Sequence, residues 1–334
     1  PLPRSLVALA TRRAGIRYLN IVSHHFMNRE ELATKTGRAR EETSRQRAYA
    51  RLVIRARLSA LLLAVLLCGC STVPVPEDAP RADAVFPHGD WHRFLQRHVD
   101  EEGLVDYAAA ATDRGDLDRY LATLAARSPD SHPKAFPTAA HRLAYWINAY
   151  NAWVIATVLA HYPIEGVRSV TAPRALFFAP KGTGFFLLQR ISLGGRRTSL
   201  YALENRVIRG RFEDPRIHFA LNCASTSCPR LSQEAFDGVQ LESQLNREAH
   251  RFVSDRRHVS VDREHQELRL SSIFDWYRSD FTDWLKQFLP DRPATLASYV
   301  SLFASEHLRA DLARCARCKV EFEPYDWTLN ERPA

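Results

Sequence analysis

Glycine is scarce in this 334-residue chain, at 13 residues, and a single methionine, Met27, occurs. With 46% hydrophobic and 25% charged residues beside so little glycine, the composition excludes a collagenous, coiled-coil or wholly disordered protein. Glycine-rich phosphate loops are lacking as well. Lys181-Gly-Thr-Gly184 is an isolated glycine turn with neither a Walker nor a dinucleotide pattern, and it reads as a surface loop. Zinc-site spacing is also missing. Cys315-Ala-Arg-Cys318 has no second pair nearby, and the mixed set Glu204, His218, Cys223 and Cys228 fits no standard pattern, so no metal and no cofactor are expected. The body of the chain carries no excess of one charge. Residues 1–60 hold 13 basic and four acidic side chains, a net +9, so the overall +8 leaves residues 61–334 at −1. The basicity belongs to the leader, and nucleic acid is not expected as a partner.

The apolar run Leu58–Leu67 is shorter than the about 20 residues a membrane-spanning helix needs. Preceded by Arg55 and Arg57, it fits the hydrophobic core of a secretion signal. Leu67-Cys-Gly-Cys70 resembles the bacterial lipobox, with Cys68 where a smaller residue is usual. The resemblance implies that Cys70 becomes the lipidated N-terminus. Ser71 behind it implies an outer-membrane lipoprotein facing the periplasm, held by acyl chains sufficient for a stable anchor. Residues 1–52 are expected to be an untranslated or disordered leader, with translation from Val53, and residues 53–70 the signal peptide. The proline-rich stretch 71–85 reads as a semi-extended tether.

Residues 86–334 contain no linker or repeat and read as one globular domain. Apolar spacing predicts short helices around Trp91–Val99 and over Asp116–Ala126. A long helix over Thr138–His161 is apolar almost all round and therefore central and buried. Phe185–Ser192 alternates into Gly194-Gly195 and predicts a hairpin, and Ser199 caps a helix to about Arg209. Arg216–Asn222 is β-rich, Leu241–Phe252 helical, and His258–Asp262 with Glu267–Leu270 a second hairpin. Helices and strands without regular alternation predict an α+β fold with a mixed or antiparallel sheet.

The segment Asp214–Pro229 leads into a polar loop bearing Cys223, Ser225 and Cys228, the kind of place where folds mount functional groups. Asn148 and Asn151 share a face of the long helix, and they, like Glu204, must find polar partners if buried. One reading is a thiol hydrolase or acyltransferase, with Cys223 as nucleophile, His218 as base, and Glu204 or an asparagine orienting the histidine. Strand parity opposes it, because positions 218 and 223 fall on opposite faces of a continuing strand. The other reading is structural. An exported protein sits in an oxidising compartment, and with Cys68 removed in the signal and Cys70 acylated, the four remaining of six cysteines allow three pairings, of which Cys223 with Cys228 and Cys315 with Cys318 is the simplest. That reading makes the protein a non-catalytic binding or scaffold module. In Asp275–Phe281, aromatics interleaved with charge read as core anchors rather than a ligand platform.

Five ordered segments, Tyr145–Ala152, Ser199–Glu204 with Ile208-Arg209, Asp214–Pro229, Leu270–Tyr277 with Asp280-Phe281, and Tyr325–Asn330, resemble successive motifs of the domain of unknown function 547 family. The resemblance implies a functional surface at Asn148, Asn151, Glu204, His218, Asn222, Cys223, Ser225 and Cys228, and no established reaction. Of these, Asn148, Asn151, Asn222 and Ser225 are the expected contacts to a small-molecule or peptide ligand.

Overall fold

The computed structural model describes residues 73–74, 85–173, 178–315 and 317–333. The leader, the signal, Cys70 and most of the tether lie outside these residues. Within the tether, Val73 is buried and donates its N–H to the Arg190 carbonyl at 3.1 Å, so the chain is packed on the body there.

The first helices are α1 (Gly89–His98), α2 (Tyr107–Thr112) and α3 (Gly115–Ala126). Asp106 starts α2 by accepting the Ala109 N–H. The central helix α4 (Ala139–His161) begins where the Thr138 hydroxyl accepts the His141 N–H, and it ends before Pro163. It is long and apolar enough to cross a membrane, but 89% of its apolar window is buried inside the protein, which makes it the expected core helix.

Two small sheets complete an α+β architecture. The hairpin β1 (Ile191–Leu193) and β2 (Arg196–Thr198) turns through Gly194 and Gly195, both at positive φ. It is shorter than the alternation predicts, because Thr183–Leu188 forms a π-helical turn instead of strand. The second sheet pairs β3 (Val259–Asp262) antiparallel and β5 (Lys319–Glu323) parallel to the middle strand β4 (Glu267–Ser271), a mixed sheet.

Residues 200–211 form one helical run, α5, capped by Ser199 and widened into a π turn over Leu203–Ile208. The β-rich segment 216–222 is not a strand. Pro215–Phe219 is a 3₁₀ turn, opened by the Asp214 carboxylate accepting the Arg216 N–H at 3.0 Å, with proline in its first turn. Proline's fixed φ and missing donor suit that position and not a strand centre. The parity objection to a His218–Cys223 pair rested on that strand and disappears with it. The remaining helices are α6 (Leu241–Ser254), α7 (Ser272–Trp276), α8 (Arg278–Phe288), α9 (Leu296–Phe303) and α10 (Glu306–Arg314).

Buried apolar side chains form two clusters. One surrounds α4 and takes in α1, α3, β1 and α5; the other lies among α6, α7, α8, α9 and the three-stranded sheet. The 3₁₀ turn joins them. Ile217 and Ala220 belong to the first cluster and Phe219 to the second.

A candidate site in an aromatic cleft

Where the two clusters meet, a cleft of about 470 Å³ opens. Its wall carries Glu204, His218, Cys223 and Cys228, so three residues separated in sequence and expected to act together, Glu204, His218 and Cys223, do share one cavity. Around them stand Phe186, Trp276, Tyr277, Tyr325 and Trp327, and Phe178 and Leu187 are exposed at its edge. Trp276 lies 4.7 Å from Tyr325 and 5.8 Å from Trp327, ring to ring, so three motif aromatics form one continuous wall. Trp276 and Tyr277 are thus a cleft surface, whereas Phe274 and Phe281 are the core anchors expected of that segment.

The π turn presents Glu204 to this cavity, beside Tyr201 and Asn205 on the same face. A π turn inserts extra backbone into a helix and re-aims side chains, which is why such turns recur at functional sites. Tyr277 donates its hydroxyl to Glu204 Oε1 at 2.6 Å, and Tyr150, from α4, to Oε2 at 3.0 Å. Burial, reinforced by the Glu204 charge, pushes both phenols well above their ordinary range, so they stay protonated and can only donate to the carboxylate.

His218 is oriented by Asp280, not by Glu204. Its Nε2 lies 2.8 Å from Asp280 Oδ2, and its ring stacks on Tyr277 with 4.0 Å between centroids. Arg209 grips Asp280 with two hydrogen bonds, of 2.8 and 3.0 Å. Burial alone would raise the Asp280 carboxyl. The bonds from His218 and Arg209 overcome it and hold the group below the usual carboxylate range. Burial also lowers the His218 ring below its ordinary value, against the pull of Asp280. A neutral ring facing a charged carboxylate must donate from Nε2, which leaves Nδ1 as the acceptor nitrogen.

Cys223 and Cys228 form a disulfide, and Cys315 and Cys318 a second one at the end of α10. Both local pairings are therefore present. Bonded in this way, Cys223 has no thiolate. Its sulfur neighbours are Ser225 Oγ at 3.5 Å and Tyr325 Oη at 3.2 Å, not His218.

The expected ligand contacts lie elsewhere. Asn148 holds the backbone of Phe236, donating to its carbonyl at 2.7 Å and accepting its N–H at 2.9 Å. Asn151 does the same for Ala220 and Asn222, both at 2.9 Å. Asn222 closes its own loop, donating to the Pro229 carbonyl and accepting the Ala224 N–H. Ser225 is buried and pairs in a β-bridge with Leu329. None of the four lines the cleft. The structure adds Asp280, Arg209, Tyr150, Tyr325 and Trp327 to the expected site residues; the quoted motifs contain all five. Among the described residues, no group of three or more His, Cys, Asp or Glu is arranged to hold a metal ion.

Fold and cleft together define an α+β protein with a disulfide-walled aromatic cavity. Residues 135–253 match the family model described as a protein of unknown function, DUF547. The matched stretch includes α4, α5, the 3₁₀ turn, the Cys223–Cys228 loop and most of α6, so it carries Glu204, His218 and both cleft cysteines. Asp280, Trp276 and the 325–330 segment lie beyond it. No curated protein and no solved structure matches the chain.

Proposed function

We propose that the chain is a binding module whose cleft takes an apolar or aromatic ligand, small molecule or peptide, in the bacterial envelope. The observation that carries this reading is that one aromatic cavity contains every expected catalytic side chain while the expected nucleophile is bonded to Cys228. Glu204 is held by two tyrosines, and His218 by Asp280. Such a wall offers area and a few fixed polar groups rather than a poised nucleophile. Anchoring through Cys70 to the outer membrane, facing the periplasm, belongs to the same proposal. Val73, three residues on, packs beside Arg190 and so near the cleft-lining Leu188.

A second reading draws support from the His218–Asp280 pair. Once reduced, Cys223 would be the nucleophile of a thiol hydrolase or acyltransferase, with His218 as base and Asp280 in the orienting role first given to Glu204.

Titration with N-phenylnaphthylamine, a neutral aromatic probe, tests the binding reading. Saturable binding is expected, and Leu187→Glu, at an exposed cleft-edge position, should weaken it roughly tenfold, about 1.4 kcal/mol. Unsaturable binding, or affinity indifferent to Leu187→Glu, would overturn it.

A further inference from the structure

The two sulfurs of the Cys223–Cys228 bridge have different surroundings. Cys228 is 6% exposed, and its Sγ accepts the Cys223 N–H at 2.9 Å and lies 3.2 Å from the Tyr325 hydroxyl. Cys223 is only half-buried and shares the Tyr325 hydroxyl, also at 3.2 Å. Burial, with the Glu204 charge adding to it, keeps that hydroxyl protonated, so it remains a donor. In thiol–disulfide exchange, the accessible sulfur is attacked and the sulfur better able to carry negative charge leaves. Here the accessible sulfur is Cys223. A thiolate on Cys228 would keep a backbone N–H and a phenolic O–H. The Cys315–Cys318 bridge has no place in the cleft wall.

We propose that Cys223–Cys228 is an exchange-active disulfide that oxidises peptide dithiols flanked by apolar or aromatic residues, the class the cleft walls admit. This rests on the binding reading above. In the first step a peptide thiolate attacks Cys223 Sγ, the Cys223–Cys228 bond breaks, and Cys228 leaves as a thiolate. In the second, the other peptide thiol loses its proton to solvent and attacks the peptide sulfur of the mixed disulfide. Cys223 then leaves as a thiolate. The peptide loses two electrons and forms one disulfide, and the protein gains them as two thiols, one peptide per bridge.

The test mixes the oxidised full chain with a synthetic dithiol peptide flanked by phenylalanine and leucine, or by serine and glutamate. Acid quenching, alkylation and peptide-resolved mass spectrometry follow each bridge separately. The apolar peptide is expected to open Cys223–Cys228 at least tenfold faster than the polar one, while Cys315–Cys318 opens equally with both. Tyr325→Phe should slow the apolar reaction severalfold. A monothiol apolar peptide should be trapped on Cys223. Equal rates for the two peptides at Cys223–Cys228, or trapping on Cys228, would overturn the proposal. N-phenylnaphthylamine titration of the same sample separates the two failures. Retained binding with equal rates overturns exchange alone, and lost binding overturns the cleft reading with it.

Discussion

Both ends of the Asn151 amide are committed to backbone groups in the interior, the Ala220 carbonyl and the Asn222 N–H. Truncation to alanine strands a buried donor and a buried acceptor, each at about 1–3 kcal/mol. Asn151→Ala is therefore expected to lower the free energy of urea unfolding by about 2–6 kcal/mol, and a loss below about 1 kcal/mol would mean the backbone groups find other partners. That a buried amide needs a partner was legible in the sequence. Which partner was not, because Ala220 and Asn222 lie about seventy residues away in the chain and only the fold brings them near. His258 shows the same limit. Its polar setting reads as solvated surface, yet its ring stacks on Phe252 at 4.0 Å and burial lowers its pKa to about 4, against the pull of Asp255. The folded protein thus holds this ring neutral, and the unfolded chain binds the proton more readily. The stability it contributes is complete above about pH 6.5 and is lost as pH falls toward 4, a change of roughly 3 kcal/mol. His218 is shifted in the same direction, so several steps add in the intact protein. His258→Phe keeps an aromatic face against Phe252 and should remove about one proton from the slope of stability against pH between 6.5 and 4. An unchanged slope would show that His258 is not held neutral by the fold.

At the scale of elements, the helices were the most legible part, because capping residues and apolar spacing agree. Ser199 sits at an N-cap as expected, Thr138 caps the helix that was expected to begin with it, and the spread of apolar residues around α4 matches its burial on every side. Two segments read as strands were not strands, for identifiable reasons. Asp214-Pro215 is a helix-start signature that the β-rich residues after it obscured. At 183–188 the chain winds into a π turn, within which Gly184 lies against the neighbouring backbone. A Cβ there would approach the Val170 carbonyl oxygen to 2.3 Å and Thr171 to 2.6 Å. The same π turn supplies Phe186, Leu187 and Leu188 to the cleft. Gly184→Ala is expected to cost about 1–3 kcal/mol by overpacking, and to weaken N-phenylnaphthylamine binding severalfold, since it displaces cleft residues. Gly195→Ala is the contrast. Its φ of +79° is strained for alanine, but a Cβ meets nothing within 4 Å, so about 1–2 kcal/mol is lost with binding intact. Equal effects of the two on binding would separate the π turn from the cleft.

For the molecule as a whole, the cleft is an assembly of distant segments. The 3₁₀ turn sends Ile217 to one apolar cluster and Phe219 to the other, with His218 between them in the cleft wall. The segment 325–332 then threads across the first cluster. Thr226 N–H donates to the Thr328 carbonyl at 2.8 Å, Leu329 N–H to Glu165 at 2.9 Å and Val105 N–H to Asn330 at 2.9 Å. Each of these bonds joins residues more than one hundred positions apart, and a one-dimensional pattern has no period that reveals such pairings. The motif around Tyr325–Asn330 announced the segment, but not what it holds. Gly166 shows how closely it fits, since a Cβ there would come within 2.2 Å of the Trp327 carbonyl oxygen. The aromatic wall and the disulfide loop therefore both rest on this segment. Deleting residues 326–334 removes Trp327 from the cleft and frees the backbone of 224–226 and of 105 at one stroke. Hydrogen exchange should then accelerate at 103–105 and 222–229 by more than tenfold, while the β3–β4–β5 sheet, which uses none of these bonds, keeps its protection. If the sheet loses protection in step with the cleft, the two clusters unfold as one cooperative unit. The bridge through Ile217 and Phe219 would then be the stronger coupling, stronger than the threaded segment that completes the cleft.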